Sequence, residues 1–143
     1  MQIMNVLAEG DMSLFKTVPS NVVQSIRAFR VTDLQSEAAQ LRQHFLYAYC
    51  AEATTKQQVL AMVAEAFHFP KHFGKNFDAL CDCLTDLAFK SGPQPGFLVV
   101  LEQLPNTPKF DKEARETLLD VFRDAADFWA DKKVAFRVFY SFQ

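Results

Sequence analysis

Three aspartates, Asp78, Asp82 and Asp86, recur at every fourth position within FPKHFGKNFDALCDCLTDL (69–87). Carboxylates at that spacing lie along one side of an α-helix, ~6 Å apart. Like charges so placed disfavour an isolated helix by roughly 0.2–0.5 kcal/mol per pair. Two chemistries would justify the row: general acid–base work by paired carboxylates, or recognition of a cationic partner. The first lacks support. One row of acids brings no nucleophile, no oxyanion donors and no recognisable pocket, so an enzyme using Asp78 and Asp82 ranks far behind a binding surface.

The other reactive side chains give less. Cys81 and Cys83 are two apart, and on a helix such residues point ~200° away from each other, which prevents both from facing one metal. His68 and His72 have helical spacing, but Pro70 lies between them. Zinc is therefore not expected. The four glycines, at 10, 74, 92 and 96, form neither a G-x-G-x-x-G nor a phosphate-binding loop, and there is no G-x-S-x-G elbow. No cofactor is expected.

The elements that position the row follow from periodicity. VVQSIRAFRV (22–31) reads as a strand, rich in β-branched and aromatic residues. Thr32 and Gln35 have capping-box spacing before a helix running to about His44. FLYAYCAE (45–52) reads as a strand. Thr54 and Gln57 repeat the capping pattern ahead of a helix whose inner side carries Val59, Leu60, Val63, Ala66 and Phe67. Pro70 and Gly74 separate it from the aspartate helix, for which Asn76 is the natural N-cap. On that helix Phe77, Leu80, Leu84 and Leu87 fall within ~80° of one another, opposite the aspartates.

KSGPQPG (90–96) reads as a loop, FLVVLE (97–102) as a strand covered on both faces, and QLPNTPK (103–109) as a loop. Asp111 caps a long helix with Leu118, Phe122, Ala125 and Trp129 inward, and VAFRVFYSF (134–142) closes as a strand. The order β-α-β-α-α-β-α-β predicts an α/β fold with a mostly parallel sheet of three to four strands and helices packed on it.

The whole-chain numbers set bounds. The 143 residues are 50% hydrophobic, with 15 Phe, which suits one packed domain. A net charge of −2 offers no basic field for nucleic acid. Three cysteines at an odd count suit a reducing compartment, and the N-terminal residues carry acids where a secretion signal would be basic. No apolar stretch approaches the ~20 residues that span a bilayer. The expectation is a cytoplasmic protein that binds neither nucleic acid nor membrane.

Most charge rows on helices are plain solvated surface. This one is distinguished by its company, because Phe73, Gly74 and Asn76 build a short loop beside it. The pattern F-P-x-x-F-G-x-N-x-D-A-L-x-D-C-L-T closely resembles the barstar family of intracellular ribonuclease inhibitors, with Pro70, Gly74, Asn76, Asp78, Ala79, Leu80, Asp82, Cys83, Leu84 and Thr85 in register. A looser resemblance runs from about Phe45 to Phe142 and includes VFRDA (121–125). It implies one barstar-like domain over 21–143. Residues 45–143 are the core, 21–44 an added β-α unit, and 1–20 a tail or partly ordered arm.

What the resemblance implies for function is specific. The inhibitory surface is the aspartate helix and the loop before it, and Asp82 matches the acid that enters the nuclease active site in place of a substrate phosphate. Asp78 matches its neighbour one turn earlier, Gly74 and Asn76 match loop positions that touch the enzyme, and Phe73 lies in the same loop. Asp124, on the last helix, matches a family glutamate one methylene longer. His72 stands where the family has a contacting tyrosine, Cys81 where it has a tryptophan, and Asp86-Leu87 replace a Gly-Trp pair. Large aromatics are the usual interface anchors, and their absence here counts against inhibition of the same enzyme.

The implied partner is a basic ribonuclease of the barnase type, whose cleft of Arg, Lys and His⁺ would meet carboxylates spaced like a short phosphate track. Barnase–barstar is itself the standard illustration of such steering, so that agreement belongs to the resemblance. The rival expectation is a binding module or antitoxin on the same scaffold with a different protein partner.

Overall fold

Gly96–Leu104 contains six consecutive buried residues, Gly96 to Leu101, and a run with no polar face can only be a strand covered on both sides. The computed structural model, which describes residues 14–87, 92 and 94–143, places it inside a four-stranded sheet. In chain order the elements are β1 (Asn21–Ser25), α1 (Val31–Gln40), β2 (His44–Tyr49), α2 (Lys56–Ala66), α3 (Phe77–Leu84), β3 (Gly96–Leu104), a 3₁₀ turn (Pro108–Phe110), α4 (Lys112–Asp131) and β4 (Ala135–Phe142). The strands run β1-β4-β3-β2 and every neighbouring pair is parallel.

Alternation along the strands sorts the core into two. Phe97, Val99 and Leu101 of β3, Phe136 and Val138 of β4, and Leu46 and Ala48 of β2 face α2, α3 and α4. Leu98, Val100 and Phe139 face the other way, where Leu34 and Ala38 of α1 and the turn residues Phe15 and Val18 cover them. Fully burying one such side chain contributes about 1.5–3 kcal/mol. The chain's first described segment is therefore part of the second core. Residues 1–13 of the expected tail lie outside the described residues, as do 90, 91 and 93 of the expected KSGPQPG loop.

Two polar residues are held in the second layer. Arg137 of β4 is buried, donates from Nε to the carbonyl of Pro19 at 3.0 Å, and lies 4.5 Å from the centre of the Phe15 ring. Burial lowers its pKa, while the buried carboxylate of Glu37 on α1 works in the opposite direction. The guanidinium thus ties the N-terminal turn to the sheet and offsets a buried acid.

Several expected boundaries are corrected. β1 stops at Ser25, because Ile26 makes the last bond to β4 (N to Tyr140 O, 2.8 Å) and Arg27 turns left-handed at φ 49°. Thr32 does not cap α1; the cap is Arg30, without a side-chain bond, and Thr32 lies inside the helix. α2 is capped by Thr55 rather than Thr54. Gln58 N donates to Thr55 Oγ1 at 3.1 Å, and Gln58 Oε1 accepts from the N–H of Thr54, the residue before the cap, at 2.7 Å. The Thr54 hydroxyl donates to the same Gln58 Oε1 at 3.0 Å, and its carbonyl accepts from Thr107 Oγ1. QLPNTPK is not all loop, for β3 continues to Leu104 and Pro108 opens the 3₁₀ turn.

Candidate functional site

Asn76 builds the start of α3. Its side chain accepts from Ala79 N at 2.7 Å and its Nδ2 donates to the Gly74 carbonyl at 3.3 Å, so one residue caps the helix and pins the loop. Lys75 between them is left-handed at φ 48°. The loop rests on aromatic contacts: Phe67 meets Phe69 edge-on with ring centres 5.8 Å apart, and Phe69 meets Phe73 at 5.4 Å. Gly74 is exposed, and a Cβ there would lie 3.1 Å from Asn76 Nδ2, crowding the pin.

α3 packs as its wheel predicts, with Leu80 and Leu84 buried and Phe77 half-buried against the core. Asp78 and Asp82 are exposed on the opposite side. The third aspartate departs from expectation. α3 ends at Leu84, where the Thr85 hydroxyl bonds back to the carbonyls of Cys81 (3.0 Å) and Asp82 (3.2 Å). Asp86 then lies in the following turn, its N–H bonded to Cys83 O at 3.2 Å, exposed but outside the helical row. Hydroxyl back-bonding of this kind bends or closes a helix.

α4 completes the face. Trp129 Nε1 donates to Leu84 O at 2.9 Å, joining the end of α3 to α4. Asp124, exposed on α4, comes near enough to Cys81 that its charge, with those of Asp82 and Asp78, adds to burial in pushing the Cys81 thiol up. The charges of three carboxylates from two helices thus act on one half-buried thiol. Cys83 is pushed up likewise, by burial first and then by Asp82 and Asp86. None of Asp78, Asp82, Asp86 and Asp124 has an ion-pair partner among the described residues.

His72 is exposed in the loop and Phe73 is half-buried. The structure also makes a grouping that sequence reasoning missed. His44, at the start of edge strand β2, lines the same cavity as His68 and His72, next to Asp82 and Asp86. Nothing local in the sequence could have signalled this, because His44 is 24 residues from His68 and reaches it only through the fold. Among the described residues, no three His, Cys, Asp or Glu side chains are arranged to hold a metal ion, and no helix is long and apolar enough to cross a membrane.

An all-parallel α/β sheet carrying an acid-faced helix defines the architecture. The family model described as Barstar (barnase inhibitor) matches residues 43–141. The chain belongs to the barstar family, with β1 and α1 outside the matched region. No curated protein matches it.

Proposed function

We propose that this protein is an inhibitor, not an enzyme, and that it plugs the active site of a cationic ribonuclease of the barnase type with α3 and the 72–76 loop. Family membership supports the class of activity. The observation that carries the assignment of the surface is that the charges of Asp78, Asp82 and Asp124 all act on Cys81, while the three carboxylates are exposed and without ion pairs among the described residues. Side chains held apart by a capped helix and a buried tryptophan, at a pitch of ~6 Å, offer anions where a ribonuclease cleft binds phosphates. In this reading Asp82 enters the cleft, Asp78 and Asp124 flank it, and Gly74, Asn76, His72 and Phe73 supply loop contacts.

The departures from the family pattern keep a second reading open: Cys81 and Leu87 replace tryptophans, so the same face on a barstar scaffold can serve a toxin that is not a ribonuclease. Capture by the purified protein at low and then high salt, followed by ribonuclease assay of what is captured, tests both. The expected result is a basic ribonuclease whose association slows steeply with salt while dissociation changes less. Capture of a protein without ribonuclease activity, by the same aspartates, selects the second reading.

A further inference from the structure

The cavity shared by the histidines has a volume of about 260 Å³. Pockets that enclose whole small molecules run roughly 300–1,000 Å³, so this one has room for a single long side chain and not for a nucleotide. Its inner wall is apolar, formed in part by the buried Leu46, Phe67 and Leu87, with Phe69 half-buried beside them. Its titratable groups are His44 from β2, His68 and His72 from the loop after α2, and Asp82, Cys83 and Asp86 from α3 and its end. These are all three histidines of the chain.

The two kinds of wall ask for two things at once. Depth lined by Leu and Phe favours an aliphatic or aromatic body. Two exposed carboxylates at the mouth favour a cation with several donors. Lysine meets the charge requirement, but its ammonium is compact and strongly hydrated. A guanidinium is weakly hydrated, stacks on phenyl rings and spreads its donors over spaced acceptors.

We propose that the cavity is a socket for one arginine side chain of the protein partner, its stem against Leu46 and the phenylalanines and its guanidinium between Asp82 and Asp86. This rests on the reading of the acidic face as a protein-binding surface, and it adds an insertion in the opposite direction: a partner residue entering this protein beside Asp82. The socket is acid-sensitive. Burial, and then the neighbouring His68, push His44 below the usual imidazole value, so at neutral pH His44 is uncharged and does not oppose the guest. Burial and the flanking Asp82 and Asp86 keep the Cys83 thiol protonated, so it adds no charge either. Acid charges His44 and sets it against a cation in the socket.

The test uses the full chain and the histidine ring signals in NMR, titrated with N-acetyl-arginine N-methylamide and with the lysine, norleucine and phenylalanine analogues. At about pH 7.5 the arginine probe should shift all three rings and bind about tenfold tighter than the other three, and its binding should weaken as acid charges His44. Asp86→Lys, at an exposed position outside the helix, puts a cation in the mouth and should abolish the shifts while the fold, read from the amide spectrum, persists. Equal or tighter binding of the norleucine or phenylalanine probe, or of the lysine probe, overturns the assignment of arginine. A silent arginine probe, in a protein that still inhibits a ribonuclease through Asp82, sinks the socket and leaves the inhibitor reading intact. A bound arginine probe in a protein that inhibits no ribonuclease does the reverse.

Discussion

The indole of Trp129 on α4 donates its N–H to the carbonyl of Leu84, the last residue of α3, at 2.9 Å. A helix of eight residues is too short to hold itself together in water, so α3 owes its position to what it packs on. Its N-terminus is fixed by Asn76 and its C-terminus by this bond from a neighbouring helix.

Trp129→Phe keeps an aromatic ring against Phe97, whose ring centre is 5.1 Å away, but leaves the Leu84 carbonyl without its indole donor. Such a loss costs about 1–3 kcal/mol. The urea midpoint should fall accordingly, with amide exchange in α3 rising more than in β3. Equal protection loss across both elements would place the effect in the core rather than at the helix end.

Asp82→Ala should separate partner binding from stability. Asp82 is exposed and without an ion pair among the described residues, and Asp78 stands one turn before it on the same helix. Removing one like-charge pair and adding alanine should leave stability unchanged or raise it, by up to ~1 kcal/mol. Affinity should drop by roughly 2–5 kcal/mol, the range for cutting one member of a buried charge pair, of which barnase–barstar is itself a standard example. Glu116→Ala, exposed on α4 two turns before Asp124, is the surface control. Unfolding of Asp82→Ala would mean that the carboxylate is structural.

The placement of Asp124 beside α3 can be read chemically. Its charge is the second cause, after burial, of the raised Cys81 pKa. In a Cys83→Ser background, Asp124→Asn should lower that pKa and speed Cys81 alkylation by iodoacetamide at about pH 8, where the thiolate fraction limits the rate. An unchanged rate would separate Asp124 from the α3 acids.

Alkaline stability should depend on Cys50. The thiol is fully buried at the end of β2, and burial raises its pKa from 9.0 to about 11. The unfolded chain therefore loses this proton first. Stability is intact below about pH 9 and declines between about pH 9 and 11, by about 2–3 kcal/mol in all. Urea midpoints across that range should fall less in Cys50→Ala, after allowing for its lower starting stability.

Phe15 tests the added layer. It is buried, stacked on Phe139 with ring centres 5.7 Å apart and covered by Arg137. Phe15→Ala should cost about 3–5 kcal/mol. Partner affinity should be unchanged in the protein that remains folded, because the second face lies across the sheet from α3. Deleting residues 1–42 should go further and expose Leu98, Val100 and Phe139 as a dye-binding apolar surface.

The sequence by itself determined the order of elements, the parallel sheet, the inner faces of α3 and α4, and the caps Asn76 and Asp111. Each of these rests on local physics: a repeat of 3.6 or 2, or a side chain bonding an N–H three residues on. Local rules also produced the misplacements. Ile26–Arg30 has strand propensity, but Arg27 turns left-handed and leaves the sheet although β4 continues to Phe142, and TTKQQ contains two capping registers, of which the Thr55 one forms. The spacing of three aspartates suggested one row, yet Thr85 closes the helix before Asp86. What the tertiary structure alone decided are the meetings between distant residues: the charge of Asp124 brought to bear on Cys81 of α3, Arg137 with Phe15 and Pro19, and His44 with His68 and His72 at one cavity. No periodicity encodes these. They exist because a parallel sheet sends the chain across its face between successive strands, bringing together side chains that are strangers in sequence.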